Sequence, residues 1–166
     1  MIVVSDSTPL ISLMKASRLD ILEKLFGDVL IPEAVFAELT TNENYPKETA
    51  LIQKSEFIKV VNVSDLKAVS LLQRATGLDR GESEAIVYAD DVHADLLLMD
   101  EAQGRKVAKS MGLSIMGSVG VLVNAFRAGL LSEADVEDAL DRMRQTGRHI
   151  SEQLIQDALD IVHNRL

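Results

Sequence analysis

The sequence predicts a three-layer α/β/α sandwich with a central, mainly parallel sheet. The first observation is that short β-branched or apolar runs alternate, along the 166 residues, with segments whose apolar residues recur at helical spacing. The second is that several of these runs are continuously apolar, which is typical of parallel strands buried on both faces. Since no internal repeat and no linker rich in Pro, Gly or Ser divides the chain, we expect a single domain over residues 1–166.

Five apolar runs are the predicted strands. The first run is β-branched, and another contains three consecutive leucines at 96–98. A third run alternates apolar and polar residues, as a strand with one exposed face does. In chain order, the predicted strands cover residues 2–4, 29–31, 57–63, 94–99 and 113–116.

Helical periods occupy the segments between and after these strands. Thr8 is a predicted N-cap with Pro9 in the first helical turn, and Asp79 and Glu82 have the spacing of a capping box. Two amphipathic C-terminal helices begin after serines and are expected to pack on the rest of the domain from about residue 132. One predicted helix follows Pro9, and another follows Asp100. The other predicted helices cover residues 19–26, 32–39, 48–54, 66–75, 82–92, 119–128, 133–144 and 152–162.

The composition excludes several kinds of site. Because the chain has no cysteine, it lacks disulfides, zinc ribbons and thiol nucleophiles, and its three histidines do not have the spacing of a zinc helix. Any metal ion is therefore expected to be bound by oxygen ligands. The net charge of −9 is opposite to that of a protein that coats nucleic acid. With no signal peptide and no membrane span in the sequence, we expect a cytoplasmic protein without a membrane partner.

Acidic residues follow two of the predicted strands. Asp6 comes after the first strand, and Asp100 comes after the strand at 94–99. In open parallel sheets, ligands bind in the crevice outside the carboxyl ends of the strands, so both acids are candidate site residues. The alternative interpretation of each is a solvated turn residue or a helix N-cap.

Two further candidate acids lie on predicted helices. Glu38 lies in the helix after the second strand, and its alternative role is a solvated flank of that helix. Glu82 and Glu84 are two residues apart, so they point in nearly opposite directions on a helix. Because the capping box gives Glu82 a structural role, we predict that Glu84 is the freer acid and belongs to the site.

Four converging carboxylates predict a bound divalent cation. Their mutual repulsion would raise their pKa values unless a cation neutralised them, and Mg²⁺ or Mn²⁺ suits oxygen ligands. Such an ion polarises a phosphoryl oxygen and lowers the pKa of a bound water molecule. The predicted chemistry is therefore the hydrolysis of phosphodiester bonds.

Four motifs carry a family resemblance. They are VVSDSTPLI at 3–11, PEAVFAEL at 32–39, GESEAI at 81–86 and LLLMDE at 96–101. In order and spacing they resemble the PIN-domain superfamily, and within it a prokaryotic subgroup related to the VapC-type toxin ribonucleases. The resemblance covers most of the chain and implies a metal-dependent endoribonuclease, the toxin-like component of a toxin–antitoxin system. The family's catalytic acids carry over to Asp6, Glu38, Glu84 and Asp100.

The resemblance also implies roles for other residues. Asp6, Glu84 and Asp100 would bind the metal ion. The residues expected to support the site are Ser7, Thr8 and Glu101. An RNA substrate needs cations near the crevice, and the candidates, whose alternative role is ordinary solvated surface, are Arg80, Arg105, Lys106 and Lys109.

Protein partners are expected as well. The apolar stretches on several helices exceed what one sheet can cover, and toxin-like PIN proteins commonly pair, so we predict a homodimer. A separately encoded antitoxin is implied by the resemblance alone. The alternative function is a catalytically silent PIN-like domain that serves as a binding or regulatory module.

Overall fold

The central sheet is fully parallel. The computed structural model of the chain describes residues 1–147 and 150–163. Within these residues the strands are β1 (Val3–Ser5), β2 (Val29–Pro32), β3 (Ile58–Val61), β4 (Leu96–Leu98) and β5 (Ile115–Met116). Their order in the sheet is β3-β2-β1-β4-β5, and all neighbours are parallel. β1 is therefore the central strand, and its last residue, Ser5, pairs with Leu98 of β4.

Helices connect the strands and complete the C-terminal part of the chain. The described residues contain α1 (Ser7–Lys15), α2 (Asp20–Phe26), α3 (Glu33–Thr41), α4 (Pro46–Lys54), α5 (Leu66–Thr76), α6 (Arg80–Asp91), α7 (Ala102–Ser110), α8 (Ser118–Arg127), α9 (Glu133–Gln145) and α10 (Glu152–Val162). None of these helices is long and apolar enough to cross a membrane.

Apolar side chains of the strands point alternately to two helical layers. Val3 of β1 packs in the larger core with residues of α1, α2, α3, α8, α9 and α10. Its neighbour Val4 packs in a second core with residues of α6 and α7. Leu96 and Leu97 of β4 divide in the same way, as the two-residue period of a strand requires. The predicted three-layer α/β/α sandwich is therefore confirmed.

The two C-terminal helices pack against the larger core. Val136 and Ala139 of α9 and Ile155 and Ala158 of α10 are buried in the larger core. The predicted serine caps are confirmed, since Ser132 begins α9 with a capping box and the Ser151 side chain accepts a hydrogen bond from the first turn of α10. These helices therefore form an integral layer of the structure.

Helix starts differ from the prediction at one important place. Thr8 is not the N-cap of α1, because the helix begins at Ser7 and its N-cap residue is Asp6. Strand β1 ends at Ser5, and only Asp6 separates it from the helix. Asp6 is extended, with a φ of −78° and a ψ of 171°. Asp6 is consequently held where the central strand meets a helix, at the carboxyl edge of the sheet.

Candidate active site

Asp6 is a buried carboxylate with an unsatisfied oxygen. Its relative exposure is 1%, and its Oδ1 has no hydrogen-bond partner among the described residues. The pKa of Asp6 is raised to about 8, first by burial and then by the nearby charges of Glu38, Glu82 and Asp79, whereas the hydrogen bond with the Ser7 backbone lowers it. Such a group is costly to ionise unless a positive charge compensates it.

Glu38 lies between the starts of α1 and α6. Its Oε2 accepts a hydrogen bond of 2.7 Å from the Ser7 hydroxyl, so Ser7 orients this carboxylate. Gly81, in the first turn of α6, leaves room for the other oxygen, since a Cβ at that position would collide with Glu38 Oε1. Burial raises the pKa of Glu38, the Ser7 hydroxyl lowers it, and the charge of Asp79 raises it.

Glu82, rather than Glu84, joins these two acids. The predicted capping box is confirmed, with the Asp79 amide donating to Glu82 Oε2 at 3.0 Å. That bond uses one carboxylate oxygen and still leaves the charge of Glu82 close enough to raise the pKa of Asp6. Burial raises the pKa of Glu82, its hydrogen bond with Asp79 lowers it, and the charges of Asp79, Glu101 and Glu38 raise it again. The capping role therefore does not remove Glu82 from the site.

Glu84, predicted to be the freer acid, has partners for both of its carboxylate oxygens. It is 4% exposed, and its Oε2 forms an ion pair of 2.7 Å with Nε of Arg80. Its Oε1 accepts a bond of 3.3 Å from the amide of Ala34, in the first turn of α3, where a helix has unsatisfied N–H groups. Glu84 thus ties α6 to α3 and supports the elements that carry Glu82 and Glu38.

Asp100 is held at the start of α8. The amide of Ser118 donates to Asp100 Oδ1 at 2.7 Å, and the Ser118 hydroxyl donates to Oδ2 at 3.0 Å. Because β1 and β4 are neighbours and parallel, Asp100 and Asp6 come from the same edge of the sheet. Sequence reasoning missed Ser118, although a polar residue two positions after the last strand was the available signal.

A groove extends from this edge along α7. It has a volume of about 720 Å³, and Thr8, Asp100 and Glu101 line it on the side of the acids. Three of the four predicted RNA-binding cations also line it, namely Arg105, Lys106 and Lys109. The fourth, Arg80, is instead the partner of Glu84.

Comparison with known families shows to which family the chain belongs. The family model DUF3368, described as a PIN domain, matches residues 2–164. The chain belongs to the PIN-domain family. Among curated proteins, none matches the chain. PIN domains are generally nucleases, so membership supports a hydrolase that acts on nucleic acid.

The acids of this PIN domain suit a divalent cation that keeps part of its water shell. No three His, Cys, Asp or Glu side chains within residues 1–147 and 150–163 form a group that could hold a metal ion together, so the four predicted acids do not converge as one ligand set. Mg²⁺, however, is usually bound through one or two carboxylates and several waters. The unsatisfied Oδ1 of Asp6, beside the charges of Glu38 and Glu82, fits that requirement.

Proposed function

We propose that this PIN domain is a divalent-metal-dependent ribonuclease that hydrolyses phosphodiester bonds. The observation that supports the proposal most is the buried Asp6 carboxylate, with one oxygen unsatisfied by the described residues and two neighbouring glutamates that disfavour its ionisation. A cation at this position would compensate the charge and keep Asp6 ionised at neutral pH. The site is otherwise an unfavourable place for a carboxylate.

Each acid has a role that follows from its contacts. Asp6 would bind Mg²⁺ or Mn²⁺ directly, with Glu38 and Glu82 as acceptors for hydrogen bonds from its water molecules. Ser7 fixes the orientation of Glu38, and Ser118 fixes that of Asp100. When bound, the ion supplies a water of lowered pKa and neutralises charge that develops on the phosphoryl oxygens.

The finer assignment concerns the biological setting. We propose a toxin-like component of a toxin–antitoxin system and a separately encoded antitoxin, both of which rest on the resemblance to VapC-type proteins, and a homodimer, which rests on that resemblance and on the apolar stretches of several helices. Glu101 would support the site, since its charge reaches Glu82. A silent binding module is the alternative that the following experiment addresses.

Metal-dependent cleavage is the direct test of the function. We expect the purified protein to cleave assorted RNAs in Mg²⁺ or Mn²⁺ and to be inactive in EDTA. Glu38→Gln keeps an oxygen that can accept from Ser7 but removes the charge, so it should lower the rate about 100-fold. Glu33→Gln is the matched control, because Glu33 lies on the same helix and its contact is an exposed hydrogen bond to Asn62. Equal rates for both variants, or a metal-independent rate, would favour the binding module.

The close approach of Gly81 to Glu38 gives a second prediction. In Gly81→Ala, the new methyl group would displace the Glu38 carboxylate, and we expect cleavage to fall by about 100-fold, as small misplacements of reacting groups can cause. Stability should stay the same or rise by up to about 1 kcal/mol, because alanine favours a helix. Initial rates and thermal melts measure the two effects. A folded variant with the parent rate would show that Glu38 is not required in this position.

A further inference from the structure

The groove along α7 is completed by the C-terminal helices. Besides α7, it is lined by Ser151 and Leu154 at the start of α10 and by Ser12 of α1. Leu154 is 46% exposed, so its side chain is not needed to fill the core. Helix α10 and its N-cap therefore supply part of a surface that begins at the acids of the candidate active site.

Three cations of α7 line this groove, against two carboxylates at its inner end. Arg105 and Lys109 are four residues apart and Lys106 lies beside them, so all three side chains can lie along one side of the helix. Lys106 and Lys109 have no ion pair among the described residues, whereas Arg105 donates to the carbonyl of Met99 at 2.9 Å. In a chain of net charge −9, such uncompensated cations indicate an anionic ligand.

The position of the groove indicates which anion it holds. Thr8, Asp100 and Glu101 line both its inner end and the margin of the acid site, and the charge of Glu101 reaches Glu82. A strand whose scissile phosphate lies at Asp6 could thus continue directly into the groove. Its flanking phosphates would meet lysines rather than carboxylates.

The lining also indicates how the strand is read. None of the described residues that line the groove is aromatic, so it lacks a platform on which bases could stack. Apart from Asp100 and Glu101 at its inner end, the charged and hydroxyl side chains of the groove are cations and hydroxyls, which suit phosphate and ribose oxygens. Phosphate contacts fix the position of a strand but carry no sequence information.

We infer that the groove between α7 and α10 binds the sugar–phosphate backbone of RNA beside the scissile bond, independently of base sequence. This inference rests on the proposed function, since it takes the substrate to be RNA held at the acids. It makes the C-terminal helices part of the substrate site. Any sequence preference of the nuclease would then arise outside this groove.

Binding of labelled RNA tests the inference. All proteins carry Glu38→Gln, which slows cleavage of the RNA during the measurement, and are measured in Mg²⁺ with oligouridylate and oligoadenylate as ligands. Lys106→Gln with Lys109→Gln should weaken binding of both ligands about tenfold and reduce the salt slope of log K by about 0.7 for each lost contact. The matched control, Lys59→Gln with Lys67→Gln, makes the same charge change at exposed positions on β3 and α5 and should bind as the parent does.

A second pair of variants tests the contribution of α10. Leu154→Glu places a negative charge in the groove at an exposed position and should weaken binding of both ligands. Leu130→Glu, at a residue 38% exposed outside the groove, is its control. Thermal melts establish that all variants are folded.

Several results would overturn the inference. One is a lysine variant that binds RNA as tightly as its control does. Another is a loss of affinity for only one of the two homopolymers, which would mean that the groove recognises bases. Lysine-dependent binding of polyglutamate without RNA binding would assign the groove to an acidic protein partner. If the lysine variant without Glu38→Gln cleaves RNA at the control rate, RNA binding by the groove is refuted and the proposed nuclease function is retained. If RNA binding depends on the lysines but no protein cleaves RNA, the nuclease function is refuted and RNA binding by the groove is retained.

Discussion

Asp6→Asn should abolish RNA cleavage and at the same time stabilise the metal-free protein. Activity should fall about 1,000-fold or more, since the variant removes the charged ligand at the centre of the proposed site. Stability should rise because the parent has to bury a carboxylate whose pKa is raised from 3.8 to about 8. A neutral amide of similar shape avoids that penalty. Cleavage rates in Mn²⁺ and thermal melts in EDTA measure the two opposite effects.

The stability of Asp6→Asn relative to the parent should depend on pH. A raised pKa means that the folded state binds a proton more tightly, so Asp6 favours folding most below pH 3.8, and this contribution is lost as pH rises through about 8. The advantage of Asp6→Asn should therefore grow by up to about 1.4 kcal/mol for each pH unit in that window. Metal binding needs the ionised form, so Mn²⁺ should raise the melting temperature of the parent and not of the variant.

Asp28→Asn is the matched control for both measurements. Asp28 is exposed and precedes β2, at the opposite edge of the sheet from Asp6, and the substitution changes the charge equally. We expect the parent's activity, metal response and pH profile in this control. An Asp6→Asn protein clearly less stable than the parent in EDTA, together with a parent that does not respond to metal, would refute the metal site.

Glu82→Gln and Glu84→Gln should distinguish an acid that is needed for cleavage from an acid that stabilises the fold. Glutamine at position 82 can preserve the capping box but removes the charge near Asp6, so cleavage should fall about 100-fold with little change in stability. Glutamine at position 84 can still accept from Ala34 but loses the ion pair with Arg80, so stability should fall by about 1 to 2 kcal/mol. Its cleavage rate should change only a few-fold. Rates and urea melts of both variants provide the measurement.

The opposite result would restore the interpretation drawn from the sequence. If Glu84→Gln were folded and inactive while Glu82→Gln cleaved normally, Glu84 would be the acid that serves the metal. The two variants make the same chemical change two residues apart on one helix, so each is the control of the other. Mn²⁺-induced shifts in melting temperature add a readout that a purely supporting role would not alter.

Part of the candidate site could be predicted because it depends on local order. Asp6 and Asp100 each follow an apolar run, and parallel strands bring their carboxyl ends to one edge. The capping box of Asp79 and Glu82 was predictable because it is a contact within four residues. The predicted limits of the strands were less accurate. The strand predicted over residues 57–63 contains only four paired residues, Ile58–Val61 of β3.

The choice between Glu82 and Glu84 shows where such reasoning ends. Helical spacing states that the two side chains point apart, but it does not state which one points to the sheet edge. That direction depends on how α6 packs against α3 and the strands, and the close approach at Gly81 brings Glu38 to the first turn of α6. The capping bond engages only one carboxylate oxygen of Glu82, so the second oxygen and the charge remain available to the site.

By itself, the sequence determined the parallel α/β order, the caps and the two acids at the strand ends, because these follow from periodicity and contacts between near neighbours. Tertiary structure decided the contacts between distant segments: Glu38 with Ser7, Glu84 with Ala34, Asp100 with Ser118, and the groove shared by α7 and α10. Hydrogen bonds and burial between such segments depend on the relative placement of whole helices. A one-dimensional pattern does not encode that placement in any local feature.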